Sequence, residues 1–243
     1  MPKESYVYEI TLDMCSVDFT GHWQPGAVFR AMQEAADGHC HVLDLTFERL
    51  RELGIAWVLS RAHLHMDDYP TLGQRVTVRT WPGKTKHMFF PRYFTFEAEG
   101  KMLGCASTLF VLMDLSERKI APATRLGKPM PEYDIPAPLP FPGNLRAVEG
   151  AVSRHDYLPV YTDLDMNQHV NNTRYVDWFM NQFPMEKHQR QMLSDLLVHY
   201  NAEVIPGEKL TMEICEAGEM SVLRGLHGKT VCFAVEGTWH NRP

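Results

Sequence analysis

The sequence predicts an α+β fold made of two copies of one unit, each a helix wrapped by a mostly antiparallel sheet. Three observations carry this prediction. An apolar stripe at helical spacing occurs twice, at Val28, Phe29, Met32, Ala35 and Ala36 and again at Tyr175, Val176, Phe179, Met180 and Phe183. Each stripe is followed by runs of strand length rich in Val, Thr, Phe and Tyr. Between the two sets, Pro122, Pro129, Pro131, Pro136, Pro138, Pro140 and Pro142 crowd into one stretch. Proline lacks an N–H and fixes φ, so this stretch is neither a central strand nor a helix interior. It reads as an extended linker over 122–145, between a unit at 1–121 and a unit at 146–243.

The first helix opens at Pro25, a residue suited to position N1. A second helical piece runs from Thr46 as N-cap to Gly54 past its end. The strand Ala56–Arg61 follows, then a turn at Gly73 and strands over 76–81, 88–97 and 103–113. In the second unit the helix runs from Asn171 to Phe183 and Pro184 stops it. A strand over Leu196–Glu203 comes next, then a turn at Gly207 and strands over 209–216, 220–227 and 230–238. The stripes are apolar over a wide arc, which is why each helix is expected inside its sheet rather than upon it. Two such units side by side make a pseudo-dimer with one continuous sheet.

At 44% hydrophobic and 22% charged residues the chain has the composition of an ordinary globular protein. A net charge of −6 argues against non-specific nucleic-acid binding, which needs a basic face. No apolar run approaches the roughly 18 residues of a membrane span. The five cysteines are an odd number without a CxxC pair and read as small buried hydrophobes of a reducing compartment. Two H-x-H pairs, His39/His41 and His63/His65, lack the further Cys/His spacing of a zinc site and read as helix-end and strand histidines. No metal or cofactor is expected, and no Gly-rich phosphate loop is present.

Chemistry concentrates in the run Asp165-Met166-Asn167-Gln168-His169-Val170-Asn171-Asn172. If it is extended, Asp165, Asn167 and His169 share one face. A carboxylate, a carboxamide and an imidazole then converge at the mouth of a helix, where free N–H groups favour negative charge. This suits a reaction that develops an oxyanion. A helix cap would need one such residue and does not account for three. Aligning Phe29 with Tyr175 gives an offset of 146 (175 − 29), which sets Phe19, Gly21 and Trp23 opposite the three polar residues. On that alignment the first unit lacks the trio, so the active site belongs to the second unit and the first shapes a pocket.

The motif Asp165-x-Asn167-x-His169-Val170-Asn171-Asn172-x-x-Tyr175 resembles the signature of the acyl-acyl-carrier-protein (acyl-ACP) thioesterases, the plant FatA/FatB type and its bacterial relatives. Trp57-Val58-Leu59-Ser60-Arg61 and the stretch from Asp68-Tyr69-Pro70 to Thr80-Trp81-Pro82 are similar too, so the likeness covers nearly the whole chain. It implies a tandem (double) hot-dog fold, each half an antiparallel sheet around a central helix, and hydrolysis of a fatty acyl-ACP thioester. It also implies a catalytic glutamate one strand downstream of the histidine, at Glu203. Plant members often have a cysteine just after that glutamate; here it is Val204, which removes a papain-like reading. The transit and anchor segments of plant members are absent, so the likeness points to a bacterial, cytoplasmic enzyme.

The implied roles make Glu203 the base that activates water, Asn167 the group that orients water or carbonyl, and His169 a donor to the thioester. Asp165 holds His169 or shares the base role, and backbone N–H groups near Val170–Asn172 complete an oxyanion hole. Direct attack by Asp165 or Glu203 through an anhydride stays open. Val28, Met32, Trp57, Leu59 and Trp23 are candidate walls for the acyl chain. The acyl carrier protein is the expected partner, met by Lys84, Lys86, Arg174, Lys187 and Arg190. Sheet edges leave room for a homodimer. Two other readings compete: an acyl-CoA thioesterase or hydratase on the same fold, and a non-catalytic acyl-binding module.

Overall fold

The computed structural model describes residues 5–146 and 149–242. The first half contributes strands β1 (Tyr6–Thr11), β2 (Ile55–Met66), β3 (Arg75–Pro82), β4 (Phe90–Ala98), β5 (Lys101–Asp114) and the short β6 (Lys119–Ala121). The second contributes β7 (Val152–Tyr157), β8 (Gln191–Tyr200), β9 (Leu210–Ala217), β10 (Met220–His227) and β11 (Thr230–Asn241). All join one sheet in the order β1-β3-β4-β5-β2-β8-β11-β10-β9-β7, with β6 paired only to β5. Apart from β6, the order reads the same from either end once each strand is exchanged for its counterpart in the other half. The seam is the antiparallel pair β2–β8, where Arg61 faces His199 and His65 faces Asp195.

The helices are α1 (Pro25–Val42), α2 (Phe47–Glu52), α3 (Arg174–Met180) and α4 (Met185–Arg190). Pro25 opens α1, and the Thr46 hydroxyl caps α2 by accepting from the Arg49 amide at 3.2 Å. The second central helix is shorter than its apolar stripe suggests: it begins at Arg174, and Pro184 ends the segment and starts α4, a piece the sequence pattern did not indicate. α3 compensates with bulk. Tyr175 lies against Phe233 (ring centroids 4.5 Å apart) and Phe179 against Phe183 (5.0 Å). Gly237 makes this possible, since a Cβ there would sit 2.6 Å from the Phe179 ring and 2.8 Å from Leu193. The larger core runs through both halves and holds Trp23, Val28 and Met32 together with Tyr175, Phe179 and Trp239. Trp57 leaves this set and packs in a second cluster with Leu50, Phe90 and Leu112, so the proposed acyl-wall residues do not line one surface.

The proline-rich segment is tied to the sheet at the seam. Prolines offer no donor but their carbonyls accept: Ser107 Oγ donates to Pro140 at 2.8 Å and Arg61 to Pro142 at 3.3 Å. Arg61 and His199, facing each other across the seam, both donate to the Gly143 carbonyl, at 3.1 and 2.8 Å. No described helix is long and apolar enough to cross a membrane.

Candidate active site

The run from Asp165 to His169 is a turn, not an extended segment. Leu164 and Val170 form an antiparallel bridge, and inside it the Asp165 amide donates to the His169 carbonyl at 2.9 Å. The Gln168 amide donates to the Asp165 carbonyl at 3.0 Å, with Gln168 at φ 63°. Asp165 Oδ1 brackets the turn by accepting from the Asn167 amide at 2.8 Å and the His169 amide at 3.3 Å. The expectation that three side chains share one strand face therefore fails, because Asp side chains compete for nearby backbone amides and close turns with them. The turn still ties the Asp165 carboxylate to the backbone of Asn167 and His169. Asn167 is exposed at its tip; Asp165 and His169 are half-buried.

The turn is held against α3 by Asp163, a residue the sequence reading passed over. Its carboxylate is 5% exposed and accepts from Trp178 Nε1 at 3.1 Å, Tyr157 OH at 2.9 Å and the Val160 amide at 2.8 Å. Burial, with this carboxylate, pushes the Tyr157 phenol up to about 12. The sequence signal was slight: one more Asp two residues before the motif. The Asn171 amide donates to the Asp163 carbonyl at 2.8 Å, and Asn171 Oδ1 accepts from the Thr173 amide and hydroxyl, both at 2.9 Å. The Asn171 N–H is thus already spent and cannot serve the oxyanion hole expected over Val170–Asn172.

Glu203 lies beyond the end of its strand, since β8 stops at Tyr200 and the Asn201 and Ala202 amides both turn back to the Cys232 carbonyl. Its side chain is 46% exposed and forms an ion pair with Arg118, which belongs to the first half. The buried Tyr175 phenol is pushed above its ordinary range, by burial first, with the carboxylates of Glu203 and Asp165 adding to it. Tyr200, stacked edge-on to Tyr175 at 5.4 Å, donates to the Asn172 carbonyl at 3.1 Å. A polar recess of about 200 Å³ opens beside the turn, lined by Arg30, Thr162, Leu164, Asn171, Thr173 and Arg174 among others.

The first half contains the same turn. Its Asp18 amide donates to the His22 carbonyl at 2.8 Å, the Gly21 amide to Asp18 at 2.9 Å, and Asp18 Oδ1 accepts from the Thr20 and His22 amides at 2.8 and 3.4 Å. Val17 bridges Trp23 as Leu164 bridges Val170. The offset between the copies here is therefore 147 (165 − 18), not 146, and Asp18, Thr20 and His22 stand opposite Asp165, Asn167 and His169. The statement that the first unit lacks the trio is corrected: it keeps the Asp and the His and has Thr for Asn. The stripes agree with the turns, since a one-residue slip rotates a helix by about 100°. At an offset of 147, Val28, Phe29, Met32 and Ala36 meet Tyr175, Val176, Phe179 and Phe183, whereas 146 sets Val28 on Arg174 and Ala36 on Gln182.

The two turns differ in their surroundings. The first is stitched to a neighbouring loop: the Trp23 amide donates to Pro70, the Leu72 amide to Gly21, and His22 bridges Thr71. Gly73 and Gly207 match as turn glycines, both at φ 84°, an offset of 134 (207 − 73) that sets Tyr69 in the place of Glu203. Tyr69 is 5% exposed.

The remaining candidates serve structure. His39 is buried between the Tyr6 and Tyr133 rings, and its Nδ1 accepts from Arg92 at 3.1 Å; burial, helped by that guanidinium, takes it down to about 4. His63 and His65 both contact Asp195 across the seam. Among the described residues no cluster of three or more His, Cys, Asp or Glu is arranged to hold a metal ion. Burial raises the thiols of Cys40, Cys105 (to about 11) and Cys232, which disfavours a thiolate nucleophile at these positions.

Residues 3–125 match the model of the acyl-ACP thioesterase N-terminal domain and residues 147–232 that of the acyl-ACP thioesterase C-terminal domain. A chloroplastic palmitoyl-acyl carrier protein thioesterase of Arabidopsis thaliana is 26% identical over 220 residues, 84% of this chain and 50% of the relative. A dodecanoyl-[acyl-carrier-protein] hydrolase of Cinnamomum camphora is 27% identical over 195 residues, 73% of this chain and 50% of the relative. The chain thus spans about half the length of the curated relatives it matches. An acyl-ACP thioesterase structure from Bacteroides thetaiotaomicron superposes with a TM-score of 0.89 at 24% identity, covering 98% of both chains. The 12:0-ACP thioesterase of Umbellularia californica does so with 0.86 at 21% identity, covering 100% of this chain and 99% of that one. The fold they share is the tandem hot-dog, and with both domain models matched in order along its length, this chain belongs to the acyl-ACP thioesterase family.

Proposed function

We propose that this protein hydrolyses fatty acyl-ACP thioesters to a free fatty acid and the carrier thiol, with chemistry in the second half and the first half shaping the acyl pocket. The observation that carries this reading is the pairing of two features in the second half only. An Asp-bracketed turn presents Asn167 and His169, and the strand that leads to the exposed carboxylate of Glu203 is tied to the same segment by Tyr200, which donates to the Asn172 carbonyl. Glu203 accepts a proton from water as the water oxygen attacks the thioester carbonyl. The Asn167 carboxamide donates to the developing oxyanion. The C–S bond then breaks, and the proton held by Glu203 passes to the leaving sulfur with His169 donating to it. Asp165 acts through the backbone, holding Asn167 and His169 at their positions. The stitched first turn, with buried Tyr69 where a carboxylate would stand, supports assigning no hydrolysis to the first half.

The test is a panel of acyl-ACPs of different chain length, with thiol release followed and the product acids identified, run beside the corresponding acyl-CoAs. Acyl-ACP is expected to turn over faster than acyl-CoA, and Asn167→Ala, His169→Ala and Glu203→Gln each to lose about tenfold or more. Unchanged rates in all three variants would remove the assignment.

A further inference from the structure

We propose that Arg118 is a positioning residue: the first half supplies the guanidinium that holds the Glu203 carboxylate in place for the reaction of the second half. The inference rests on Glu203 being the base. A carboxylate in an exposed loop, three residues past the end of its strand, has rotamer freedom that works against catalysis, since small displacements of a reacting group are costly. The backbone on each side is anchored, by the Ala202 amide on the Cys232 carbonyl at 3.0 Å and by buried Val204, which leaves the side chain as the free part. Arg118 is what grips it.

The guanidinium comes from a rigid platform. Arg118 closes the turn between β5 and β6, its amide donating to the Asp114 carbonyl at 2.9 Å. Asp114 accepts from the Ser116 amide at 2.9 Å, the Glu117 amide at 3.0 Å and Arg125 at 2.7 Å. The Leu115 amide donates to Gly54 at 3.0 Å. Arg118 itself sits at φ 53°, a left-handed conformation that glycine adopts at less cost. A strained position occupied by a long cation that reaches a carboxylate 85 residues away is better accounted for by what the side chain does than by the turn. The neighbouring Lys119 does not compete, since it pairs with Glu117.

The experiment compares steady-state hydrolysis of an acyl-ACP by wild type, Arg118→Ala, Arg118→Lys, Glu203→Gln and the double variant Arg118→Ala/Glu203→Gln, with a thermal melt of each. Arg118→Ala is expected to lower kcat about tenfold with KM within about twofold. Its melting point should stay close to wild type, because an exposed ion pair adds little stability. Arg118→Lys should restore most of the rate. The double variant should be no slower than Glu203→Gln alone, because both changes act through one group. Wild-type kcat in Arg118→Ala, or a double variant slower by the full product of the two single losses, would overturn the inference while leaving Glu203 as the base. Full activity in Glu203→Gln would overturn both.

Discussion

Arg30 of α1 and Asp177 of α3 hold the same place in the two copies, 147 residues apart (177 − 30), and they touch each other at 3.5 Å. Residues related by a two-fold axis meet their own counterparts only near that axis, so this contact marks where the halves close on one another inside the sheet. The β2–β8 seam marks it again on the sheet itself. Asp177 also accepts from Arg174 at 2.9 Å, and Gly26 of α1 lies so near that a Cβ on it would overlap the Asp177 carboxylate.

Close helix approach is thus expected to depend on Gly26. Gly26→Ala should cost about 1–2 kcal/mol by overpacking, in spite of alanine's better helix propensity. In an Asp177→Ala background the same change should be nearly neutral. Urea denaturation of the four variants measures the coupling, and an equal cost in both backgrounds would show that Gly26 matters for another reason.

Gln168 occupies the left-handed position of the second turn, at φ 63°, where the first turn has Gly21 at φ 80°. Gln168→Gly should raise stability by up to about 1 kcal/mol, the relief of the left-handed strain less the added freedom of the unfolded chain. Gln168→Val should lower it, since β-branching makes that conformation worse. Denaturation midpoints of the two variants moving in the same direction would contradict this account.

Asp165 serves as an acceptor for two backbone amides, a task that an asparagine oxygen also performs. Asp165→Asn is therefore expected to keep activity within about tenfold, whereas Asp165→Ala, which opens the turn, should lose about a hundredfold or more. An inactive Asp165→Asn variant with an intact melting transition would assign Asp165 a direct chemical role, including nucleophilic attack.

The seam gives a pH dependence of stability. Burial alone would lower His65, but its contacts with Asp195 and Asp67 outweigh burial and raise it. Asp195 lies well below the usual carboxylate range, chiefly through its hydrogen bond from His63, then against the pull of burial and with help from His65. The stabilisation from a raised histidine is full below its unfolded value of about 6.5 and lost as pH rises through the folded one. That from a depressed carboxylate is present above about 3.9 and lost as pH falls. The pair therefore contributes most between about pH 4.5 and 6.5. His65→Asn should lower the melting point by about 1–2 °C more at pH 5.5 than at pH 8.5, a small effect because both groups are about a third exposed and screened. An equal difference at both pH values would remove the linkage.

Much of the architecture was legible because it is local. Stripes at helical spacing located α1 and α3, Val- and Thr-rich runs located β3, β9 and β10 to within a residue or two, and Thr46 capped the helix it was expected to cap. What was misread has one cause. Alternation predicts a shared face only if the backbone is extended, and the short polar side chain of Asp165 bends it instead. The same bend, repeated at Asp18, shows that the copies are offset by 147 residues, the value at which the apolar stripes of the two helices also coincide.

By itself the sequence determined the two helix-and-strand units, the linker between them and the polar run that marks the site, since these follow from side-chain periodicity and backbone restrictions over a few residues. Only the tertiary structure decided that Asp163 would tie the turn to α3, that Tyr69 would stand where Glu203 stands, and that Arg118 would grip Glu203. The Arg118–Glu203 contact joins residues 85 apart and arises when two copies of one sheet close edge to edge and bring their loops within reach of each other. Asp163 meets Trp178, 15 residues on, only once the chain has folded back onto α3; no side-chain periodicity encodes either contact.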